Sequence, residues 1–386
     1  MERLYFTPRP DWDQKAEDVG FSWRHDNGLP YWDETAAYAF SLQEVEDGIE
    51  APTEELHAMC LDLVAEVVAS EELMEQVDIP APLRDYVADT WHQKMPSLYG
   101  RFDFAYDGTA PAKLYEYNAD TPTSVYETAV FQWLWLEDKI ATRELPDHAD
   151  QFNSLYEKLL ARFAALFANG TILHFASDAT FTEDRQTVRF LEDIAQQAGM
   201  KPRFVALEDI GLDSDGRFLD HEDWFIEAMF KLYPWEQMLR DEWALNLSQS
   251  GIRMLEPAWK SILSNKAILP LLWARHPNHP NLLEAYFEDD PARANLGSSY
   301  ARKPFFSREG ANIELLDHGI SSGVDDGGYG QGRHILQALH NPPRFHGQHA
   351  IIGSWIVGDE AAGMSIREDT GAITRNTSRF LPHFIR

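Results

Sequence analysis

The alternation of apolar and polar residues divides the chain into segments of period 3.6 and segments of period two. After Thr53, the residues Leu56, Met59, Cys60, Leu63, Val64, Val67 and Val68 recur at helical spacing with Glu54 and Glu55 in the first turn, which predicts an amphipathic core helix capped by Thr53. From Phe102 to Tyr106 and from Lys113 to Asn118 the pattern alternates, and Asp107-Gly108 with Pro111 between them predicts an antiparallel hairpin. Thr121-Pro122 reads as a helix start with proline at the first helical position. The helix it opens runs through Phe131, Trp133, Leu134 and Trp135, is apolar nearly all round, and is expected at the centre of the fold.

Phe152, Leu155, Tyr156, Leu159, Leu160, Phe163, Leu166 and Phe167 mark a further helix, stopped by Asn169-Gly170. A βαβ unit follows: a strand over 171–176, a helix carrying Val188, Leu191, Ile194 and Ala195 that ends at Gly199, and a strand over 203–207. Ligands gather at the carboxyl ends of such strands, so the loop from Ser177 to Asp184 is a candidate substrate loop. Beyond a helical stretch reaching Trp273, the segments 299–306, 349–357 and 363–368 read as antiparallel strands, making the whole an α+β protein. The glycine-rich stretch from Gly319 to Gly332 lacks a following Lys-Ser or Lys-Thr, so it is not a P-loop and is expected to be a mobile surface loop. Neither an internal repeat nor a linker of Pro, Gly or Ser divides the chain, and its lobes are expected to interleave.

With 386 residues, 44% of them hydrophobic and 12% aromatic, the chain can bury several packed layers, which excludes global disorder. Its 63 acidic against 33 basic residues give a net charge of -30, which argues against nucleic acid or an anionic membrane as partner and favours cationic ones. The same excess also serves solubility. One cysteine, Cys60, permits neither an internal disulfide framework nor a thiolate zinc site, and its place on an apolar stripe marks it as packing. An N-terminus without an apolar signal core and the lack of any membrane-length apolar run give the cytoplasm as the expected compartment.

The hairpin carries the most informative chemistry. Arg101 and Asp103 are two apart on one arm, Glu116 and Asn118 on the other, so each pair shares a face while Phe102 and Tyr117 point to the opposite layer. If the faces coincide, two carboxylates and an amide oxygen form a hard-oxygen set suited to magnesium, with Arg101 free to hold a phosphate or an oxyanion. The same spacing also describes a solvated hairpin face with ordinary ion pairs. Lys266 and Lys303 sit beside apolar runs, where a lysine near a strand end can reach nucleotide phosphates, or can snorkel to solvent. The small residues after Lys303, with Arg308 among them, could bring backbone amides to phosphates. Arg367 reads equally as half of a hairpin ion pair. The histidine pairs 346/349 and 276/279 lie in loop-like contexts without a helix to align them, so a zinc site is not expected.

Taken in order, Arg101-Phe102-Asp103, the run from Glu116 to Thr123, the run from Trp259 to Lys266, Arg302-Lys303-Pro304 with Ser307-Arg308-Glu309-Gly310, and the run from Gly363 to Asp369 resemble the synthetase part of the glutathionylspermidine synthase family. Among its members the chain is most similar to the short, stand-alone acid–amine ligases. The resemblance spans most of the chain and implies an ATP-grasp fold preceded by an α/β, pre-ATP-grasp substrate-binding region. That region would occupy about 100–255 and the nucleotide-binding region about 256–386. It implies Asp103, Glu116 and Asn118 as ligands of magnesium, and Lys266, Lys303, Gln337, Ala338, Leu339 and Ile373 as the ATP side. Arg101, Arg308 and Arg367 would meet phosphate or the reacting carboxylate, and Thr121, Glu183 and Asp184 the peptide-like acid. The amidase chemistry of the bifunctional relatives is not expected, because the sole cysteine belongs to a core helix.

The implied reaction is phosphorylation of a carboxylate by ATP to an acyl phosphate, then attack by an amine or polyamine to give an amide, ADP and phosphate. Two other readings stay open at this point: an ATP-grasp phosphotransferase, and a non-catalytic module that binds a peptide or polyamine.

Overall fold

The hairpin whose faces carry the candidate chemistry is the edge of a larger antiparallel sheet. The computed structural model describes residues 1–26, 28–324, 328–375 and 377–386. Tyr99–Ala105 pairs with Lys113–Asn118 on one side and with Gln348–Val357 on the other, and the sheet continues through Glu360–Asp369 to Arg379–Leu381, with Arg344–Phe345 also pairing with Gln348–Val357. Residues 250 positions apart in sequence, Gly353 and Asp103, are thereby held opposite each other, and on the other side of the same strand Ile351 opposes Arg367.

One face of this central sheet is apolar. Phe102, Phe104, Ile352 and Met364 share a core with Leu56, Cys60, Leu63 and Val64 of a long helix. That helix starts earlier than the apolar spacing predicts. Ser41 and Glu44 form a capping box, and the chain stays helical from Leu42 to Val68 by passing through a five-residue π-helical turn, Glu46–Glu50. The turn absorbs the hydrogen bond that Pro52 cannot donate. Thr53 is therefore internal rather than a cap; its hydroxyl donates to the Ile49 carbonyl at 2.6 Å and lies 2.7 Å from Ser354 Oγ.

The βαβ unit forms as expected. Ile172–Ser177 and Lys201–Ala206 are parallel, flank the helix Thr182–Gln197, and extend to Ala228–Lys231 and Arg253–Leu255 in a four-stranded parallel sheet. The helix Leu155–Leu166 joins this sheet to the central one, sharing a core of Leu159, Phe163, Phe175, Phe230, Tyr99 and Trp355. A five-stranded antiparallel sheet, in the order Ala285–Phe287, His334–Ala338, Tyr300–Pro304, Glu314–Asp317 and Ile320–Val324, faces the hairpin from the far side of the site. The stretch expected to be a mobile surface loop thus contains an edge strand, Ile320–Val324; residues 325–327 lie outside those described.

Two more expectations give way to tertiary context. Thr121-Pro122 does not start a helix: the chain runs extended to Ser124, whose φ of 71° interrupts it, and helical residues begin at Val125. The helix Gln132–Ala141 that follows is two-faced rather than apolar all round, since Trp135 and Leu136 pack with Trp32 and Phe384 while Trp133 is 38% exposed. The first and last segments close the molecule: Glu2–Tyr5 and His383–Ile385 flank Ala36–Phe40 in a small three-stranded sheet. No helix among the described residues is long and apolar enough to cross a membrane.

Candidate functional site

Register decides the geometry of the hairpin. Arg101 opposes Asn118, Phe102 opposes Tyr117, and Asp103 opposes Glu116, with a bulge immediately after Asp103. Phe102 and Tyr117 stack with ring centroids 3.8 Å apart on the apolar face. The four polar side chains therefore share the other face, as the period-two pattern requires. Arg101 grips Asp103 through two bonds, Nε to Oδ1 at 2.7 Å and Nη2 to Oδ2 at 3.1 Å, and its Nη1 donates to the Thr123 carbonyl at 2.9 Å. Asn118 Nδ2 donates to Asp103 Oδ2 at 3.1 Å and to Glu116 Oε1 at 3.2 Å. Both carboxylates thus converge on a single point, and turning the amide to offer its oxygen gives the hard-oxygen donor set that magnesium favours. Among the described residues no group of three His, Cys, Asp or Glu side chains is arranged for a metal, so a cation here would need Asn118 as its third ligand.

Two buried lysines complete this face. Lys266 does not end a strand as expected; it lies in the turn between the short helix Lys260–Leu263 and the helix Ile268–Arg275, with Nζ 2.9 Å from Glu116 Oε2 and 3.0 Å from the Ser307 carbonyl. Lys303 projects from the central strand Tyr300–Pro304 and donates to Gln337 Oε1 at 2.6 Å and to the Tyr115 carbonyl at 3.0 Å. Against the cost of burial, Lys266 and Lys303 hold the Glu116 carboxyl well below its usual range. Burial, only partly offset by Glu116, pushes the Lys303 ammonium down to about 8.

Two adjoining recesses open on these groups. The first, a cavity of about 160 Å³, is lined by Arg101, Asp103, Glu116, Asn118, Thr121, Glu183, Asp184, Arg308 and Arg367, together with Tyr31, Asp120, Ser124 and Glu236. The second takes Lys303, Gln337, Ala338, Leu339 and Ile373 and shares Asp103, Glu116, Gly310 and Thr374 with the first. Every residue singled out in the sequence except Lys266 lines one of the two, and Lys266 stands directly behind Glu116. The first recess carries both signs of charge. Arg101, Arg308 and Arg367 line it together with an acidic wall of Glu236 and of Glu183 and Asp184 in the first turn of the helix Thr182–Gln197, and Arg308 lies close enough to act on both Asp184 and Glu236. Burial, and then Glu183, raise Asp184 to about 6.

Arg308 hangs over the cavity and donates to Thr121 Oγ1 at 2.8 Å. Its loop is pinned at Gly310, where φ is +73° and an added Cβ would come within 2.5 Å of both Ile373 Cγ2 and the Thr374 carbonyl oxygen. Arg367 Nη2 donates to the Arg375 carbonyl at 2.6 Å, whereas its Nε is buried with no hydrogen-bond partner.

Several site residues escaped sequence reasoning. Asp120 accepts from Lys231 Nζ at 2.6 Å and from the Trp235 amide at 2.7 Å, which ties the turn bearing Thr121 to the parallel sheet. The lone lysine ending the apolar strand Ala228–Lys231 was the available signal. Gly353 lies under Arg101, where a Cβ would come within 2.7 Å of the arginine Cδ. Nothing local in the sequence marks it.

The sequence profile described as "Glutathionylspermidine synthase preATP-grasp" matches residues 3–386. The chain belongs to this family. Among proteins similar to this member, one from Haemophilus influenzae described as "Putative acid--amine ligase" is 41% identical over 394 residues, covering 98% of each chain. The trypanothione synthetase of Crithidia fasciculata is 30% identical over 356 residues, and the bifunctional glutathionylspermidine synthetase/amidase of Escherichia coli is 26% identical over 375. The family member described here spans only 53% and 58% of those two proteins. A solved structure, a glutathione synthetase-like effector from Globodera pallida, shares its fold with a TM-score of 0.55 at 11% identity, over 98% of each chain. The relatives are ligases and synthetases, and the mixed helix-and-sheet architecture agrees with that neighbour.

Proposed function

We propose that the protein is an ATP-dependent, magnesium-requiring carboxylate–amine ligase of ATP-grasp type that joins a peptide-like acid to an amine or polyamine. The observation that carries this reading is the meeting of the hairpin face, Lys303 and three arginines in two adjoining recesses that Glu183, Asp184 and Glu236 also line, with Lys266 held behind Glu116. On this reading the recess lined by Lys303, Gln337, Ala338, Leu339 and Ile373 receives the nucleotide, which places the nucleotide side within about 256–386. The acid and amine are received mainly by 100–255. Asp103, Glu116 and Asn118 would hold magnesium, whose contribution when bound is to neutralise phosphate charge.

The protein's own groups supply the rest. Lys266 and Lys303 meet nucleotide phosphates, and Arg101, Arg308 and Arg367 stabilise the negative charge that develops as the acid carboxylate takes the γ-phosphoryl group. Thr121 and the backbone around it orient that acid. The acidic wall holds the ammonium of the incoming amine, and a second charge of a polyamine where there is one. Cys60 is fully buried with its thiol pushed up by burial, which supports a reaction without a cysteine nucleophile.

A matrix of peptides and simple acids against polyamines and amino acids, read by ADP release and by product mass, tests the proposal. The expected product is an amide whose mass equals both reactants less water. Formation of AMP, or phosphate transfer to a hydroxyl, would replace this reading with another.

A further inference from the structure

Behind the acidic wall lies a carboxylate that the reading above leaves unused. Glu127 opens the π-helical turn Glu127–Phe131 and is 1% exposed. Its Oε1 accepts from Trp23 Nε1 at 2.8 Å and from the Tyr31 hydroxyl at 2.9 Å, while Oε2 is buried and has no hydrogen-bond partner. Both of these partners are uncharged. An acceptor for an indole and a phenol needs only a neutral oxygen. A carboxylate in that place carries the added cost of burying charge, together with the one property that an amide lacks, the ability to take up a proton.

Tyr31 connects this group to the cavity. Its side chain is part of the cavity lining, and the charges acting on its phenol are Glu127, Glu183 and Arg367, of which the last two also line the cavity. The groups facing Glu127 are Trp23 and Tyr31 from the N-terminal segment, Tyr126 beside it on its own turn, and Glu183 from the helix Thr182–Gln197.

Resting on the ligase reading, we propose that Tyr31 and Glu127 form the proton acceptor for the amine: the phenol at the cavity wall takes a proton from the bound ammonium as it passes its own to Glu127. An amine reaches the site as an ammonium ion and attacks only as the free base. In the step, one N–H bond of the ammonium breaks and a new O–H bond forms on Tyr31, while the original Tyr31 O–H bond breaks and one forms on Glu127. Tyr31 is neutral before and after, as its burial demands. The freed nitrogen lone pair then bonds to the acyl carbon, the bond from that carbon to the phosphate oxygen breaks, and the departing phosphate takes the second proton from nitrogen. Glu127 returns its proton to solvent as the products leave. Burial, and then Glu183, raise the Glu127 carboxyl to about 7, in the range suited to such an exchange near neutrality.

The test uses the full chain with ATP, magnesium and the acid–amine pair chosen by the substrate matrix, comparing wild type with E127Q, Y31F and D184N. Hydroxylamine, uncharged at neutral pH, serves as a nucleophile that needs no proton acceptor. The expected result is that E127Q and Y31F lose amide formation by roughly 10²- to 10⁴-fold. They keep hydroxamate formation at the wild-type rate, and the fall in kcat on the acid side disappears with them. Y31F retains Glu127 and nearly all of the packing, so it serves if E127Q fails to fold. In the infrared, wild type should show a carboxylic-acid band titrating near neutrality that E127Q lacks; absence of that band overturns the proposal. So does an acid limb abolished in D184N and kept in E127Q and Y31F, which would assign the proton to Asp184. Equal loss of amide and hydroxamate points to a structural role and also overturns it. Wild type that forms neither product with any pair overturns the ligase reading itself, and the proton acceptor with it.

Discussion

Asp103 is held from two sides, by the Arg101 guanidinium and the Asn118 amide, and it borders both recesses. Asp103→Asn is nearly isosteric but leaves the cation one charge short. It should lower turnover by roughly 10²-fold or more, with an unchanged far-UV spectrum. Chelation of divalent metal should have the same effect on wild type and be reversed by magnesium. Lys303 gives a prediction with two opposite signs. Its ammonium, depressed by burial to about 8, is favoured again by a bound phosphate. Nucleotide binding should therefore take up a proton once the pH exceeds about 8, and affinity should fall by about tenfold per unit above it. For stability, the unfolded lysine titrates near ~10.4, so between about 8 and that value the unfolded state holds more protons and stability rises with pH. Below about 8 both states are charged and the full cost of burial is present. Calorimetry in two buffers, and melting curves against pH, should show weaker ATP binding and higher stability over the same window. Both trends should vanish in Lys303→Met.

At the level of elements, the loop from Phe305 to Asn312 that follows the central strand Tyr300–Pro304 is the part most exposed to change on loading. Arg308 reaches Thr121 across the cavity mouth, and Gly310 holds the loop against Ile373 and Thr374. Hydrogen exchange across 302–312 should slow when ATP and magnesium are added, and no change there would dismiss the loop as a flap. Gly310→Ala places a methyl where no space exists, at a positive φ. It should raise the KM for ATP more than it lowers melting temperature. The hairpin was legible because a period of two leaves no choice of face once Phe102 and Tyr117 are assigned to the core. The parallel unit was legible for the same reason, since its strands and helix each announce their period. What failed was local chemistry overruled at a distance. The Thr121-Pro122 signal lost to an extended turn tied down by Asp120, whose partners Lys231 and Trp235 lie more than 100 residues on. Thr53 lost its capping role to Ser41, because a π-helical turn let the helix begin before Pro52. Gly353 and Tyr31 join the site only through strand pairing and packing, which no window of the sequence contains.

Across the whole molecule, the small sheet that binds Glu2–Tyr5 and His383–Ile385 to Ala36–Phe40 ties both ends of the chain into the packed body. Phe384 and Ile385 are 3% and 8% exposed, and burying two such side chains contributes roughly 3 to 6 kcal/mol, a large share of the ~5 to 15 kcal/mol that separates folded from unfolded domains. Removal of 383–386 should therefore give insoluble or protease-sensitive protein, measured by limited proteolysis beside wild type. The central sheet has a further consequence, for anyone wishing to cut the chain near 255 and handle its halves as independent pieces. Gln348–Val357 lies between Tyr99–Ala105 and Glu360–Asp369, so a fragment ending there would carry the hairpin with a bare strand edge and no Gly353 beneath Arg101. Its counterpart would keep Arg367 in register with Ile351 and Phe380 but leave the edge of Gln348–Val357 that pairs with Tyr99–Ala105 bare. Such fragments are expected to aggregate when made alone. They should recover activity only when co-expressed, as a split enzyme whose reassembly could itself be used as a reporter.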